Sequence, residues 1–193
     1  MKPLYALLFF VFFGFAQKNT AQTTAVKSGV YITKDDFKNN RVIDEADCQN
    51  DKVKFKQHNF FTKGEFSVLI NGKKVTYLKK DIYAYRDCEN TVWRFYQNTE
   101  YEIMEPKAIY IYAIRKIILT GEDFEREPVY YFSDGPVGDI KKLNIANLKT
   151  SFTNNRVFCN LLDTEVKYNR AIDVYNVAHK MYEVNYLYSE STR

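Results

Sequence analysis

Residues 66–78 read Phe66-Ser67-Val68-Leu69-Ile70-Asn71-Gly72-Lys73-Lys74-Val75-Thr76-Tyr77-Leu78, two runs rich in β-branched and aromatic residues on either side of one dipeptide. Asn-Gly tolerates the positive φ values that a two-residue type I′ turn demands at both central positions, so the stretch predicts a β-hairpin. Upstream, residues 53–60 partly alternate polar and apolar side chains, which suits a half-exposed strand. Downstream, residues 81–86 and 91–96 are strand candidates joined by Asp87-Cys88-Glu89-Asn90. Residues 101–105 and 108–113 follow, separated by Pro106-Lys107, and residues 129–132 close the series. A parallel return needs a crossover of a dozen or more residues, so consecutive strands with short turns pair antiparallel. The expectation is an antiparallel β-meander, either a curved sheet or an open barrel.

Ser133-Asp134-Gly135-Pro136-Val137-Gly138-Asp139 is a dense turn cluster, and beyond it the apolar period changes from two to three and four. Asn144 is placed to cap a helix over 145–152, and Thr153 or Asn154 to cap one that runs to Val166. Residues 170–188 form the longest helical candidate, with Ile172, Tyr175, Ala178 or His179, Tyr182 and residues 184–187 as its apolar stripe. Near the start of the domain, residues 28–33 are extended, and Thr33 before Lys34-Asp35-Asp36-Phe37 predicts a capped helical turn. Strands first and helices last make the class α+β. Residues 28–193 are the right length for one domain.

The first sixteen residues read as a secretory signal peptide. One lysine precedes a nearly unbroken apolar run from residue 4 to residue 16, which is short of the about twenty residues a spanning helix needs. Gly14-Phe15-Ala16 offers small residues for cleavage before Gln17, with cleavage after Ala21 as the alternative. Residues 17–27 are a polar, disordered leader, and no cysteine near the apolar run offers a lipid attachment point. The mature chain is then exported without a transmembrane segment, to the periplasm, the outer-membrane surface or the extracellular space.

The chain carries 28 Lys and Arg against 24 Asp and Glu, a net charge of +4, and the basic residues are scattered among acidic ones. Nucleic-acid binding shows as a clustered basic face, so it is not expected. Lys73-Lys74 and Lys79-Lys80 read as the solvated guard of a strand edge. Aromatic residues are abundant, with 16 Tyr and 15 Phe but one Trp. In strand-like runs such rings pack on the pleated surface while a tyrosine hydroxyl reaches water. If the sheet binds a ligand, Trp93, Tyr83, Tyr85 and Tyr96 are the candidate aromatic surface.

Three cysteines leave one over if two pair. Cys48 and Cys88 lie in polar, turn-like contexts and are the expected disulfide, whereas Cys159 in Val157-Phe158-Cys159-Asn160-Leu161-Leu162 reads as a buried small hydrophobe. Their spacings match no zinc pattern, and no metal or cofactor is expected. Glycines stand singly in turns, with no phosphate-binding loop.

Gly29-Val30-Tyr31-Ile32-Thr33, Asp36-Phe37 and Asn39 at the start, the central aromatic strands, and Leu148-Lys149, Phe152, Asn155, Leu161-Leu162-Asp163 and residues 179–185 at the end resemble a group of exported Bacteroidota proteins of uncharacterised function. The resemblance implies export from a Gram-negative cell, and it carries no catalytic residues to transfer.

Catalytic readings are thin. His58 reads as a strand-surface residue, and His179 with Cys159 and Asp163 or Asp173 would be needed for a thiol nucleophile with its base and orienting acid. Asp81, Asp87, Glu100, Glu102 and Glu105 are the carboxylates from which a glycosidase pair would be drawn. The leading class is an exported non-enzymatic binding or envelope-associated protein, whose partner would be a carbohydrate, a peptide or another envelope protein. An exported hydrolase using carboxylates or a Cys/His pair comes second, and a structural or inter-subunit role third.

Overall fold

The computed structural model describes residues 27–57, 64–120, 123–168 and 171–193. The expected signal peptide, nearly all of the leader, and His58 lie outside the described residues. The Asn-Gly hairpin is present: β4 (Glu65–Ile70) and β5 (Lys73–Leu78) pair antiparallel with Ile70 opposite Lys73, and Asn71 and Gly72 have φ of 52° and 86°. Asn71 does more than turn the chain. Its Oδ1 accepts from Lys52 N at 2.9 Å and its Nδ2 donates to Asp51 at 2.7 Å, which holds β3 (Val53–Gln57) in register on the other side of β4.

Among the described residues the remaining major strands form an eight-stranded antiparallel sheet. In chain order they are β1 (Ser28–Tyr31), β2 (Ile43–Ala46), β6 (Ala84–Arg86), β7 (Val92–Tyr96), β8 (Thr99–Pro106), β9 (Ile109–Thr120), β10 (Asp123–Asp134) and β11 (Lys141–Lys142). The spatial order is β11-β10-β9-β8-β7-β6-β1-β2, so β6 to β11 each pair with the next strand in sequence, and β1 returns to lie beside β6. Gly29 permits the β1–β2 contact, because a Cβ there would stand 2.7 Å from the Ile43 carbonyl oxygen. A disulfide joins Cys48, after β2, to Cys88 in the β6–β7 turn, with the Cα atoms 5.5 Å apart.

Side-chain alternation gives this sheet two different faces. On one, Val30, Tyr85 and Phe95 pack against Phe66 and Val68 of the three-stranded sheet. Further along the same face, Ile109, Ile111 and Phe132 pack against the C-terminal helices. The opposite face carries Tyr110, Tyr112, Tyr101, Ile103 and Tyr131, and is partly covered by Phe37 and Ile140. Phe37 belongs to the short helix α1 (Lys34–Lys38), where Thr33 and Asp36 form a reciprocal capping box, so the cap read from sequence is there.

The helices α2 (Ile145–Ser151) and α3 (Arg156–Lys167) are capped by Asn144 and Asn155, whose side chains accept from Asn147 N at 2.8 Å and Phe158 N at 2.9 Å. The second cap is one residue beyond the expected pair. The long helix expected over 170–188 is not formed. Instead β12 (Tyr175–Asn176) pairs with β13 (Met181–Tyr182), and helix is confined to α4 (Glu183–Glu190). Lys180 sits at φ 52° in the connecting turn, and Asn176 accepts from His179 N, the kind of local side-chain bond with which asparagine competes against helix. The expected stripe is broken accordingly: Ile172 and Tyr182 are buried, but Tyr175 is half exposed and Ala178 and His179 are exposed. The architecture is mostly antiparallel β with helices at the C-terminal end, an α+β fold, and no described helix is long and apolar enough to cross a membrane.

Candidate functional site

The tyrosine-rich face is incompletely covered, and α1 roofs only part of it. Beside Phe37 two adjoining cavities of about 360 Å³ and 520 Å³ share Phe37, Arg86, Asn90 and Pro106 as lining. Together they form one groove, and its parts come from four places in the chain. Arg86 ends β6 on the side opposite Tyr85. Asn90 stands in the disulfide-bonded turn at φ 65°. That turn is organised by Asp87, whose Oδ1 accepts from Glu89 N at 3.0 Å and Thr91 N at 2.9 Å while Oδ2 accepts from the Trp93 indole at 2.9 Å.

The third part is a bulge. The β8–β9 register shifts between Ile103 and Glu105, leaving Met104 as the extra residue. A bulge changes which face the following side chains reach. Ile103 packs on the tyrosine face and Glu105 is sent to the helical face, while Met104, which is 36% exposed, remains as groove wall with Ile103 and Pro106. Tyr110 of β9 supplies the far end.

Arg86 gives the groove its charge. Its Nη1 donates to Asn40 Oδ1 at 2.6 Å, and the guanidinium lies over the Tyr31 ring at 5.5 Å. The same Asn40 oxygen accepts from the Tyr31 hydroxyl at 3.0 Å. Burial raises the Tyr31 phenol above its ordinary pKa, and the Arg86 charge opposes the rise. Among the described residues no carboxylate pairs with Arg86, and its buried Nε has no acceptor. Its neighbours differ: Arg41 pairs with Asp36 at 3.1 Å, and Arg115 with Glu102 at 3.6 Å. A half-buried cation without a counter-charge keeps a demand for an anion.

A second guanidinium, Arg94, lies deeper on the same face and commits both Nη groups to structural bonds, while its buried Nε, like that of Arg86, has no acceptor among the described residues. Arg94 Nη1 donates to Tyr112 at 2.6 Å and Ser133 at 3.3 Å, and Nη2 to the Gly138 carbonyl at 3.1 Å. The rings of Tyr83, Tyr112 and Tyr96 surround it at 5.4 to 5.7 Å. Burial raises the Tyr83 and Tyr112 phenols, with Arg94 acting against both shifts. Tyrosine π-faces here take the place of a carboxylate.

The four aromatic residues expected from sequence do not form one surface. Tyr85 is 4% exposed and packs with Trp93, Phe66 and Phe95 beneath the three-stranded sheet. Tyr83 and Tyr96 flank Arg94 on the opposite face, and their hydroxyls donate to the Pro136 carbonyl and to Asp139, both at 2.9 Å. None of the four lines the groove.

The other expected groups are dispersed as well. Cys159 is half-buried rather than buried, with its thiol 3.6 Å from the Phe152 carbonyl, whereas His179 stacks on Tyr186 at 3.8 Å and lies in a turn instead of on a helix. Asp163 accepts two bonds from Lys149 at 2.7 and 2.8 Å. Cys159, Lys149 and Arg156 line a cleft of about 660 Å³ between α2 and α3, but its lysine is already neutralised and its lining lacks an apolar wall. Among the carboxylates, Asp87, Glu102 and Glu105 hold structural bonds. Glu100 differs, since burial pushes it up to about 7 against the pull of Lys79, and neither of its oxygens has a partner among the described residues.

Sequence reading missed Arg86 and Phe37. The available signal was an arginine in an aromatic strand two residues before a half-cystine, but its significance depends on which carboxylates lie near it in space. No protein-family model, curated protein or solved structure matches the chain.

Proposed function

We propose that the chain is an exported, non-enzymatic binding protein whose ligand seat is the groove between α1, the Cys88 turn and the Met104 bulge. The observation that carries this reading is the Arg86 guanidinium, without a carboxylate partner among the described residues, lining a groove with apolar walls. Cavities of several hundred Å³, mostly apolar with a few polar anchors, are the ordinary form of a small-ligand site. The lining supplies binding groups, namely a guanidinium, an asparagine amide from Asn90, and rings. Export to the periplasm or beyond is supported by the apolar leader and by the Cys48–Cys88 bond, which persists in oxidising compartments. Residues 28–193 are read as one domain, and the run of sequence-ordered strands from β6 to β11 as a curved meander.

The test is a two-dimensional NMR titration of the purified protein against small carbohydrates, short peptides and organic acids. Saturable shifts at Phe37, Arg86 and Asn90 are the expected result. Saturable shifts confined to other surfaces would sink the assignment of the groove.

The hydrolase reading has one observation in its favour, the carboxyl of Glu100 with its pKa near 7, a value suited to a general acid. It requires Glu100→Gln to abolish a hydrolytic activity found in the wild type. On the binding reading no such activity exists to lose.

A further inference from the structure

Resting on the reading of the groove as the ligand seat, we infer that its ligand is a monocarboxylate with an apolar body, the carboxylate on Arg86 and the body against Phe37, Met104 and Pro106.

Charge is the first argument. Among the described residues Glu102 is the one acidic side chain in the lining and it is paired with Arg115, so they leave the charge of Arg86 unopposed, with Lys38 at the groove's rim. A neutral sugar would leave that charge uncompensated. The number of donors is the second. Arg86 Nη1 is committed to Asn40 and Nε is closed off from solvent, so few N–H groups remain to meet an anion. A phosphate, with three strong acceptor oxygens and close to two charges, calls for a larger cluster of donors than this. One carboxylate matches what is left.

The walls make the third argument. Phe37, Val92, Ile103, Met104 and Pro106 offer apolar surface directly beside the cation. Proline has no N–H, and extended peptides dock by adding to an open strand edge. Here β6, β7 and β8 are interior strands, each paired on both sides, so the groove offers no such edge. The occupant is therefore a compact amphiphilic acid, held by one charged end and one apolar body.

The experiment compares four probes by NMR titration and calorimetry of the purified protein: 4-phenylbutyrate, its uncharged amide, inorganic phosphate, and maltose. The acid is expected to bind with saturable shifts at Arg86, Asn90 and Phe37. The amide is expected to bind at least tenfold more weakly, and phosphate and maltose to leave those signals unmoved. Arg86→Gln should weaken the acid at least tenfold. Because that change also removes the Asn40 bond, Asn90→Asp is the second variant. Aspartate tolerates the same backbone conformation and sets a carboxylate in the groove that Arg86 lines, so acid binding should again fall about tenfold.

Equal binding of acid and amide would overturn the inference, as would acid binding unaffected by Asn90→Asp. Phosphate or maltose binding in the groove in preference to the acid would overturn the ligand class while leaving the groove as a binding site. Failure of all four probes to move any groove signal would overturn the ligand class, and the groove itself would stand or fall on the wider titration described above.

Discussion

Asn185 of α4 donates from Nδ2 to Glu105 of β8 at 2.7 Å, across 80 positions of sequence and inside the core. Its Oδ1 accepts from Ile109 N at 3.0 Å, its Nδ2 also reaches the Ile109 carbonyl at 2.8 Å, and Glu105 accepts from Tyr182 N at 3.1 Å. Lys107 closes the charge balance at 3.1 Å from Glu105. Asn185 and Glu105 are 4% and 6% exposed. The bulge at Met104 is what turns Glu105 toward Asn185, so one extra residue both shapes the groove wall and fastens the helical end to the sheet.

Asn185→Ala should therefore lower unfolding stability by about 3 kcal/mol, because it takes one donor from the buried Glu105 carboxylate and leaves the buried Ile109 N–H without its acceptor. Urea denaturation measures the loss, and hydrogen exchange should show α4 opening before the sheet. Deleting Met104 should cost less, since Glu105 then follows Ile103 directly and regular alternation still turns it to the helical face. A deletion variant as unstable as Asn185→Ala would contradict the assigned role of the bulge.

Glu100 gives a pH dependence of known sign. Its carboxyl is raised from the ordinary 4.5 to about 7, first by burial, with Lys79 opposing. The folded state then holds a proton that the unfolded chain releases, so this contribution is fully present below about pH 4.5 and is lost as pH rises toward 7. One pK unit corresponds to about 1.4 kcal/mol, so a shift from 4.5 to about 7 amounts to roughly 2 to 3 kcal/mol across the window. Glu100→Gln should abolish that slope and exceed wild-type stability at pH 8. Parallel stability curves for the two proteins would show that Glu100 does not titrate in this range.

The disulfide closes a loop of 40 residues between the β2 end and the turn that carries Asn90. On the chain-entropy account a loop of that size contributes about 4 kcal/mol. The double variant Cys48→Ser, Cys88→Ser should lose most of this. It should also loosen the Asp87–Thr91 turn, visible as faster amide exchange at Glu89 and Thr91, whose N–H groups are held by Asp87. Unchanged exchange there would mean that Asp87 alone fixes the turn.

Local chemistry was legible where one residue decides it. Asn71-Gly72 can make few turns other than the one it makes, and Thr33 with Asp36 satisfies its own helix end, so both were readable without tertiary context. Residues 170–188 were not, because their three-and-four apolar spacing is the helical signal, and it is overridden locally by the Asn176 side-chain bond and the positive φ of Lys180, which apolar spacing does not report. The aromatic residues failed for a different reason. Trp93 and Tyr85 pack together on one face of the sheet, while Tyr83 and Tyr96 flank Arg94 on the other. Tyr83 and Tyr85 look equivalent in a list of rings, but Tyr83 lies just before β6 begins, where the alternation of the strand does not reach. Arg86 was invisible as a site for the simplest reason: an absent counter-ion is a property of space.

Arg94 offers the sharpest test of how the tyrosine face is built. Lysine keeps the charge at that position but loses the planar fork that reaches Tyr112, Ser133 and the Gly138 carbonyl together. It also loses the stacked geometry over three tyrosine rings. Arg94→Lys should therefore cost about 3 kcal/mol, an amount characteristic of a broken buried charge network rather than of a conservative surface change. Ultraviolet titration adds a second readout. Arg94 lowers the Tyr112 and Tyr83 phenols against the larger effect of burial, so removing the charge with Arg94→Met should move both phenols further up. A variant whose buried tyrosines ionise at lower pH than wild type would show that burial on this face depends on the guanidinium itself, with water entering once it is gone.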